Sequence, residues 1–336
     1  MKRTVYVGQY AGGEICGINT LSVDDITGAM ERVNFIGGLP NTLWLTCSSD
    51  ASRLYSARAG GITVFDVRGA DVVATAEYDV GTVSEPCHMS ISKDGRRLYF
   101  AEYSDSVCGI ADLASGKIST AGLVGSGPNL PRQEKSHAHC VVETPDGRHL
   151  CVVDLGSDVI WLYDPVTLEL HGKVRTEPGA GPRHLVFHPN GKIACLVYEL
   201  GNVVTSFRYE DGKFSPVETL PLLPVDFSGH SQAAALKFSE DGTRIFATNR
   251  GHDSVASFDI DSDSGSMKLV SCSPLGGSWP RDFSFLPGER IAVACLERAG
   301  EVRSFSYDEA TGSFKALPHV FRTHRPVVAA ISSIGE

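Results

Sequence analysis

The sequence predicts an all-β fold, a seven-bladed β-propeller that spans residues 1–336 as a single domain. Glycine is abundant, at 35 residues, and short runs rich in Val, Ile, Tyr, Phe and Leu recur between turn signals, while stretches with helical periodicity are scarce. A unit of one turn and one strand also repeats along the chain. Because the 336 residues contain no linker, charge block or low-complexity run, one large repeat architecture is expected.

The repeating unit is a short polar turn followed by a strand, and we call these six turns the inner turns. They are centred on Asp50, Asp94, Asp146, Asn190, Asp241 and Pro287. The successive spacings are 44, 52, 44, 51 and 46 residues. Each spacing is long enough for the four strands of one propeller blade.

A second turn signal alternates with the inner turns, at the positions where the two outer strands of a blade would join in a hairpin. It consists of Thr, Ser or Asp followed by a glycine, and the glycines are Gly28, Gly116, Gly212, Gly265 and Gly312. Six inner turns account for six blades, which leaves the strands near Val5 and Val328 without partners. We expect these two strands to share a seventh blade, in which the last strand is the innermost and closes the ring.

Charge and cysteine usage exclude several classes of function. The net charge of −10 argues against binding to nucleic acid or to a membrane, since both need a cationic face. The basic start of the chain is not followed by the apolar core of a secretory signal, so we expect a cytoplasmic protein. The nine cysteines lack C-x-x-C spacing and are expected to be buried apolar residues. The oligomeric state stays open.

Unexpected polar residues cluster on one predicted face. In a propeller blade, the first strand begins and the second strand ends on the face opposite the inner turns. At those positions the sequence places His88 with Glu102, His137 and His139 with Asp154, Arg183 and His184 with Glu199, Gln232 with Asn249 and Arg250, and Arg281 with Glu297. We expect these groups to meet at one mouth of the central channel, where a ligand site is expected.

Two of these blades repeat the same arrangement of charge. Glu199 follows Arg183 by 16 residues and Glu297 follows Arg281 by 16 residues. Arg250 occupies the position that Glu199 and Glu297 fill in the other two blades. A tight Gly/Pro loop at residues 179–184 delivers Arg183 beside a histidine, which favours a functional reading of that pair. The pair of Arg281 with Glu297 is equally well explained as a cross-strand ion pair.

The motif His137-Ala138-His139 places two imidazoles two residues apart, on the same side of a strand. A tetrahedral zinc site needs further ligands, and no Cys or His lies at a complementary spacing. We therefore expect acid/base or anion-binding work from this pair. Neither a metal nor another cofactor is expected.

Longer segments resemble a known family. They include Ser-His-Ala-His at 136–139, Gly-Pro-Arg-His at 181–184, Tyr-Glu-Leu at 198–200, Asn-Arg-Gly-His-Asp-Ser at 249–254 and Pro-Arg-Asp-Phe at 280–283. With them the chain resembles the seven-bladed propeller lactonases, a family that includes bacterial 6-phosphogluconolactonase and fungal carboxy-cis,cis-muconate cyclase. The resemblance implies a site made of a histidine from the pair His137 and His139, together with Arg183, Glu199 and Arg250. The matching residues expected to bind substrate are Gln133, Glu134, His184, Asn249 and Arg281.

The expected function is hydrolysis of a small anionic sugar lactone, similar to that of a 6-phosphogluconolactonase. Lactone opening needs a base that takes a proton from water, and cationic donors where the oxyanion develops. Glu199 or a histidine is the candidate base, and Arg183 and Arg250 are the candidate donors. The absence of a G-x-S-x-G motif from the sequence favours direct attack by water.

Two alternatives stay open at this point. A cycloisomerase acting on a carboxymuconate-type lactone would use the same cationic residues and a proton donor. A non-catalytic propeller that binds a partner is less favoured, because the sequence has only 3 Trp and such faces are rich in aromatic residues.

Overall fold

The computed structural model describes residues 1–10, 16–69 and 71–335, and in them the chain forms 28 β-strands arranged as seven four-stranded antiparallel sheets. The predicted all-β fold with seven blades is confirmed. Apolar and β-branched residues fill the strands nearest the core: β17, defined below, has the sequence Ile-Ala-Cys-Leu-Val-Tyr and is buried throughout. The outermost strands are mostly exposed or half-buried, and in β15, defined below, exposed and half-buried residues alternate along part of the strand.

The strands follow the chain in order. The first seven are β1 (Lys2–Gln9), β2 (Gly17–Asp24), β3 (Met30–Gly37), β4 (Leu45–Cys47), β5 (Arg53–Arg58), β6 (Gly61–Arg68) and β7 (Asp71–Asp79). The next eight are β8 (Pro86–Ile91), β9 (Arg97–Glu102), β10 (Val107–Asp112), β11 (Ile118–Gly122), β12 (Ala138–Glu143), β13 (Leu150–Asp154), β14 (Val159–Tyr163) and β15 (Leu170–Arg175). The next eight are β16 (Pro182–Phe187), β17 (Ile193–Tyr198), β18 (Val203–Glu210), β19 (Lys213–Pro221), β20 (Gln232–Phe238), β21 (Arg244–Arg250), β22 (Ser254–Ile260) and β23 (Met267–Pro274). The last five are β24 (Pro280–Phe285), β25 (Ile291–Leu296), β26 (Glu301–Asp308), β27 (Ser313–Arg322) and β28 (Pro326–Gly335).

Each sheet is one blade, and we number the blades along the chain. Blade 1 has the strand order β28-β1-β2-β3, so it contains both ends of the chain. Val5 lies opposite Ile331 and Val7 lies opposite Ala329. Blades 2 to 7 are formed by β4–β7, β8–β11, β12–β15, β16–β19, β20–β23 and β24–β27. The prediction that the terminal strands share a blade, with the last strand at its inner edge, is confirmed.

The six inner turns connect the first and second strands of blades 2 to 7, as predicted. In the turn at Asp94, the Oδ1 atom accepts hydrogen bonds from Ser92 Oγ at 2.6 Å and from Arg96 N at 3.0 Å. The same pattern repeats at Asp50, where these hydrogen bonds lower the carboxyl pKa to about 2. The aspartate thus fixes the turn by bonding its own backbone.

The outer turn of blade 4 carries no glycine and was missed by the sequence pattern. It runs between β14 and β15, and there Leu168 takes a φ of +62°. The corresponding residues Gly116 and Gly212 have φ values of +73° and +76°. The position needs a left-handed conformation that glycine adopts freely, and in blade 4 leucine adopts it instead.

The chain divides into two compact units. One contains residues 1–86 and 273–336, with blades 1, 2 and 7, and the other contains residues 87–272, with blades 3 to 6. The prediction of one domain over residues 1–336 stays a prediction. In the second unit, neighbouring blades bury apolar side chains against each other, such as Val153 and Ile160 with Leu196. Among the described residues, no helix is both long and apolar enough to span a bilayer.

Candidate active site

The second unit brings the predicted site residues together around one carboxylate. A β-bulge between Pro182 and His184 sets Arg183 at the start of β16, and Glu199 follows the end of β17. The amide of Glu199 donates to Gly181 O at 2.8 Å. Gly181 has a φ of +63°, and a Cβ there would lie 2.7 Å from Leu200 Cγ, so glycine is required. The loop therefore seats Arg183 directly beside Glu199.

Three arginines bind the Glu199 carboxylate, and we call Glu199, these arginines and His139 the Glu199 cluster. Arg183 Nε lies 3.1 Å and Arg250 Nη2 lies 2.7 Å from Oε2, whereas Arg132 Nη2 lies 2.6 Å from Oε1. His139 Nε2 lies 4.0 Å from Oε2. The side chains of Arg183, Arg250 and Glu199 are 3%, 6% and 3% exposed, so these charges interact strongly. The predicted convergence of Arg183, Glu199 and Arg250 is confirmed in the geometry.

The charge balance of this cluster is positive. Burial raises the free energy of the ionised Glu199, but the charges of Arg250, Arg183, His139 and Arg132 outweigh it and hold the carboxyl pKa well below its usual range. One carboxylate then faces three guanidinium groups, which stay protonated at any working pH. The surplus positive charge suits an anionic ligand group or a developing oxyanion.

The two histidines of the motif have different surroundings. His137 stacks on the ring of Tyr103, with ring centroids 4.1 Å apart, and its Nδ1 lies 3.0 Å from Tyr103 O. Its Nε2 lies 3.2 Å from Glu134 Oε1. His139 instead meets Tyr103 and His184 edge-on and faces Glu199. His139 is therefore the member of the pair that faces the Glu199 carboxylate, a distinction that the sequence left open.

His184 supports the arginine next to it. Its Nε2 lies 3.0 Å from Arg183 Nη1. Burial, followed by the charges of Arg183, His88, His139 and Lys237, holds the pKa of His184 well below its usual range. The ring is therefore neutral, and its Nε2 accepts a hydrogen bond from the guanidinium. Arg183 is thus held between His184 on one side and Glu199 on the other.

Gln133 and Asn249 are bonded to the protein around them. Gln133 is fully buried, and its Nε2 donates to Leu155 O and Asp158 Oδ1, both at 2.8 Å. Asn249 is also fully buried, and its Nδ2 donates to Leu222 O at 3.1 Å. These contacts hold the loops that carry the site. A direct contact of either residue with substrate stays a prediction.

Arg281 and Glu134 each pair with a residue other than Glu199. Arg281 belongs to the first unit, where its Nη1 lies 3.4 Å from Glu297 Oε2. Glu134 is half exposed and contacts His137. A role for either of them in binding substrate stays a prediction.

Arg132 and Tyr103 were not among the residues predicted from the sequence. Arg132 lies in the loop before β12 and reaches Glu199 across 67 positions of sequence. Its Nη2 also donates to Tyr103 Oη at 3.3 Å, and burial raises the pKa of this tyrosine. A contact over that separation leaves no local spacing to detect. The one available signal was that Arg132 directly precedes Gln133 and Glu134, two of the residues for which the sequence resembles the propeller lactonases.

Known proteins are similar to this chain over nearly its whole length. The family described as "Lactonase, 7-bladed beta-propeller" matches residues 4–331. The chain belongs to this family. The 6-phosphogluconolactonase of Bacillus subtilis (strain 168) is 31% identical to it over 337 residues, and the match covers 96% of each chain. The family resemblance seen in the sequence is confirmed.

Solved structures of similar proteins agree with the membership in the lactonase family. The periplasmic gluconolactonase of Pseudomonas aeruginosa has a TM-score of 0.92 and 26% identity, over 100% of both chains. A protein from Lactobacillus plantarum has a TM-score of 0.92 and 26% identity, over 99% of this chain and 100% of that one. The lactonase family thus contains proteins named for sugar lactones with and without a phosphate.

A metal would need ligands that the cluster does not supply. Within residues 1–10, 16–69 and 71–335 no group of three or more His, Cys, Asp and Glu side chains is arranged to hold a metal ion. In the Glu199 cluster, the carboxylate is already bound to three arginines, whose positive charge opposes a cation. Metal independence stays a prediction.

Proposed function

We propose that the protein hydrolyses a small anionic sugar lactone, with 6-phosphogluconolactone as the first candidate substrate, at the Glu199 cluster. The observation that carries this proposal is the set of three arginines on one buried carboxylate, which leaves surplus positive charge in a protein of net charge −10. A substrate anion and a tetrahedral oxyanion both need such donors. The 31% identity to a 6-phosphogluconolactonase along the whole chain supports the same substrate class.

In this mechanism Glu199 orients the arginines and does not act as the base. A general base works best when its pKa lies near the working pH, and the arginines hold the pKa of Glu199 far below it. His139, 4.0 Å from the carboxylate, is the better candidate. This pairing of an imidazole with a buried carboxylate also stabilises the imidazolium once the proton has moved.

The reaction then balances with water as the nucleophile. The water oxygen adds to the acyl carbon while His139 takes a proton, and Arg183 or Arg250 stabilises the oxyanion. The ring C–O bond breaks as the carbonyl re-forms, and the proton on His139 passes to the alkoxide that leaves. The products are one hydroxyl group and one carboxylic acid, which loses its proton in neutral solution. No co-reactant other than water is required.

The experiment is a proton-release assay with purified protein on 6-phosphogluconolactone and on plain gluconolactone, corrected for spontaneous hydrolysis. Faster turnover of the phosphorylated lactone is the expected result, because two negative charges suit a cluster with excess positive charge. Carboxymuconolactone is assayed alongside by its ring absorbance. Turnover of that compound alone would assign the cycloisomerase alternative, and turnover of none would favour a binding propeller.

We further propose that the protein acts in the cytoplasm. The nine cysteines, each within the described residues, form no disulfide bond, as is usual in a reducing compartment. A similar protein of Pseudomonas aeruginosa is named as periplasmic, so the compartment has to be tested directly. Fractionation of the source cells, followed by immunoblotting, is expected to recover the protein with a cytoplasmic marker. Recovery with a periplasmic or secreted marker would contradict the proposal.

A further inference from the structure

Blade 7, in the first unit, repeats the backbone frame that holds Arg183 and Glu199. A β-bulge follows Pro280, which lies opposite Leu296, and it sets Arg281 at the start of β24. The amide of Glu297 donates to Trp279 O at 3.0 Å, as the amide of Glu199 does to Gly181 O. The frame that carries the candidate active site is therefore present a second time.

The carboxylate of Glu297 is shared by two arginines. Arg281 Nη1 lies 3.4 Å from Oε2 and Arg325 Nη2 lies 2.5 Å from Oε1. Glu297 is 4% exposed, whereas Arg281 and Arg325 are 22% and 43% exposed. One buried negative charge thus orients two guanidinium groups that solvent can reach. A single arginine would suffice to neutralise Glu297, so the second adds positive charge at an accessible position.

The end of blade 7 at which Arg281 lies carries two further arginines. Glu301, which begins β26, is bound by Arg303 Nη2 at 2.7 Å and by Arg322 Nη1 at 2.7 Å. Strands β24 and β26 begin at this end, and β25 and β27 end there. Four arginines therefore face Glu297 and Glu301, and the carboxylate of Glu85 in the same unit also interacts with Arg281, which leaves the arginines in excess in a protein whose net charge is −10. Local positive charge of this kind attracts anions.

Two further features hold Arg281 and Arg325 in place. Trp279, which precedes Pro280, has a φ of +68°, a conformation that costs free energy for a bulky residue and that is found where function constrains the backbone. Arg325 Cζ lies 4.4 Å from the centroid of the Tyr10 ring. Stacking on that ring fixes the guanidinium plane and leaves its N–H edge available for hydrogen bonds.

We propose that Arg281 and Arg325, oriented by Glu297, form a second anion site that binds the carboxylate or phosphate group of a small molecule. The chemistry that recognises the group is the paired guanidinium fork, which donates to two oxygens of one oxyanion at once. The proposal concerns the first unit alone and does not rest on the function proposed for the Glu199 cluster. A ligand with two oxyanion groups would gain further attraction from Arg303 and Arg322.

The test is calorimetric titration of the full chain with inorganic phosphate, and separately with acetate, at low ionic strength. The variant combines Arg281→Gln with Arg325→Gln, and a second variant combines Arg281→Lys with Arg325→Lys, which keeps the charge but removes the forks. The control is Arg53→Gln, since Arg53 lies in the same unit, is 47% exposed and pairs with Asp66. Melting temperatures show whether each variant is folded.

The expected result is that the glutamine variant binds about one phosphate fewer per chain than the wild type, while the control binds as the wild type does. The lysine variant should bind that phosphate about tenfold more weakly. If the site binds phosphate but not acetate, it is a phosphate site. If it binds both, it is a general site for oxyanions. Unchanged phosphate stoichiometry in the glutamine variant, or an equal loss in Arg53→Gln, would overturn the proposal. The titration tests this proposal whether or not the protein proves to be a lactonase.

Discussion

Blades 5 and 7 carry the same pair of residues on the same frame, yet they differ in what surrounds the pair. Arg183 and Glu199 are buried, and other strands and loops add Arg250, Arg132 and His139. Arg281 and Glu297 are joined by Arg325 alone among the ion pairs of the described residues, and both arginines are partly exposed. The repeated frame therefore supplies an arginine and a glutamate in both blades. The residues packed around that pair set its burial and its net charge. The most informative experiments change both blades in the same way.

The largest difference is expected when the glutamate is neutralised. Glu199→Gln leaves the buried Arg183 and Arg250, and the partly exposed Arg132, without their counter-charge, and we expect a loss of about 3–5 kcal/mol in the free energy of unfolding together with loss of lactonase activity. Glu297→Gln should cost only about 1 kcal/mol, because its arginines reach solvent. Denaturant unfolding of both variants measures the difference. Equal losses of unfolding free energy in the two variants would show that the different burial of the arginines does not affect stability.

The next largest effect concerns the candidate base. His139→Gln should lower kcat by about 10²–10⁴-fold if His139 takes the proton from water. His137→Gln, the matched control two residues away, removes a ring that packs on Tyr103 and should change kcat much less. Steady-state kinetics on the best lactone substrate decides between the two histidines. A larger fall in kcat in His137→Gln than in His139→Gln would assign the role of base to His137.

Substitution of the arginines should come third. Arg183→Lys keeps the charge but loses the fork that reaches both His184 and Glu199, and Arg250→Ala removes a donor. Each is expected to lower kcat/KM by about 10²-fold or more with little change in melting temperature. Arg281→Ala is expected to lower kcat/KM by a smaller factor. If the first two variants keep near wild-type kcat/KM while melting many degrees lower, these arginines serve only the fold.

A separate effect, on stability and not on catalysis, is expected from pH, and it arises in the second unit. Burial, followed by the charge of Arg183, lowers the pKa of His88 to about 3, and His184 is lowered as well. Below their ordinary pKa the unfolded chain binds protons that the folded chain excludes, so stability falls as pH falls from about 6.5 towards about 3. Melting curves across that range should show this slope, and His88→Gln should reduce it. A slope unchanged in His88→Gln would contradict this assignment.

No effect is expected from removal of metal. Among the described residues no group of three or more His, Cys, Asp and Glu side chains is arranged to hold a metal ion, so dialysis against a chelator should leave lactonase activity unchanged. Elemental analysis of the active protein is the second measurement. Stoichiometric zinc or calcium, together with activity lost to the chelator and restored by the metal, would show that the proposed direct hydrolysis is wrong.

The sequence by itself determined the fold and the contents of each blade. Inner turns such as the one at Asp94 are local hydrogen-bonded structures. Their spacing along the sequence therefore marks each blade in which one of them joins the first two strands. Where a turn departs from the usual residues, as at Leu168, the pattern failed. The 16-residue offset between Arg183 and Glu199 was likewise readable, because one bulged hairpin joins the two residues.

Only the tertiary structure showed which of these residues lie in contact with each other. Arg132 reaches Glu199 from 67 positions away, and a contact between different blades leaves no period in the sequence. The choice of His139 over His137 depended on ring orientation, and the neutral state of His184 depended on burial beside Arg183. Packing of separate blades fixes distances and desolvation together, and these set the charge of each group. Strand order follows from local chemistry, whereas the electrostatics of the site follow from neighbours that are distant in the chain.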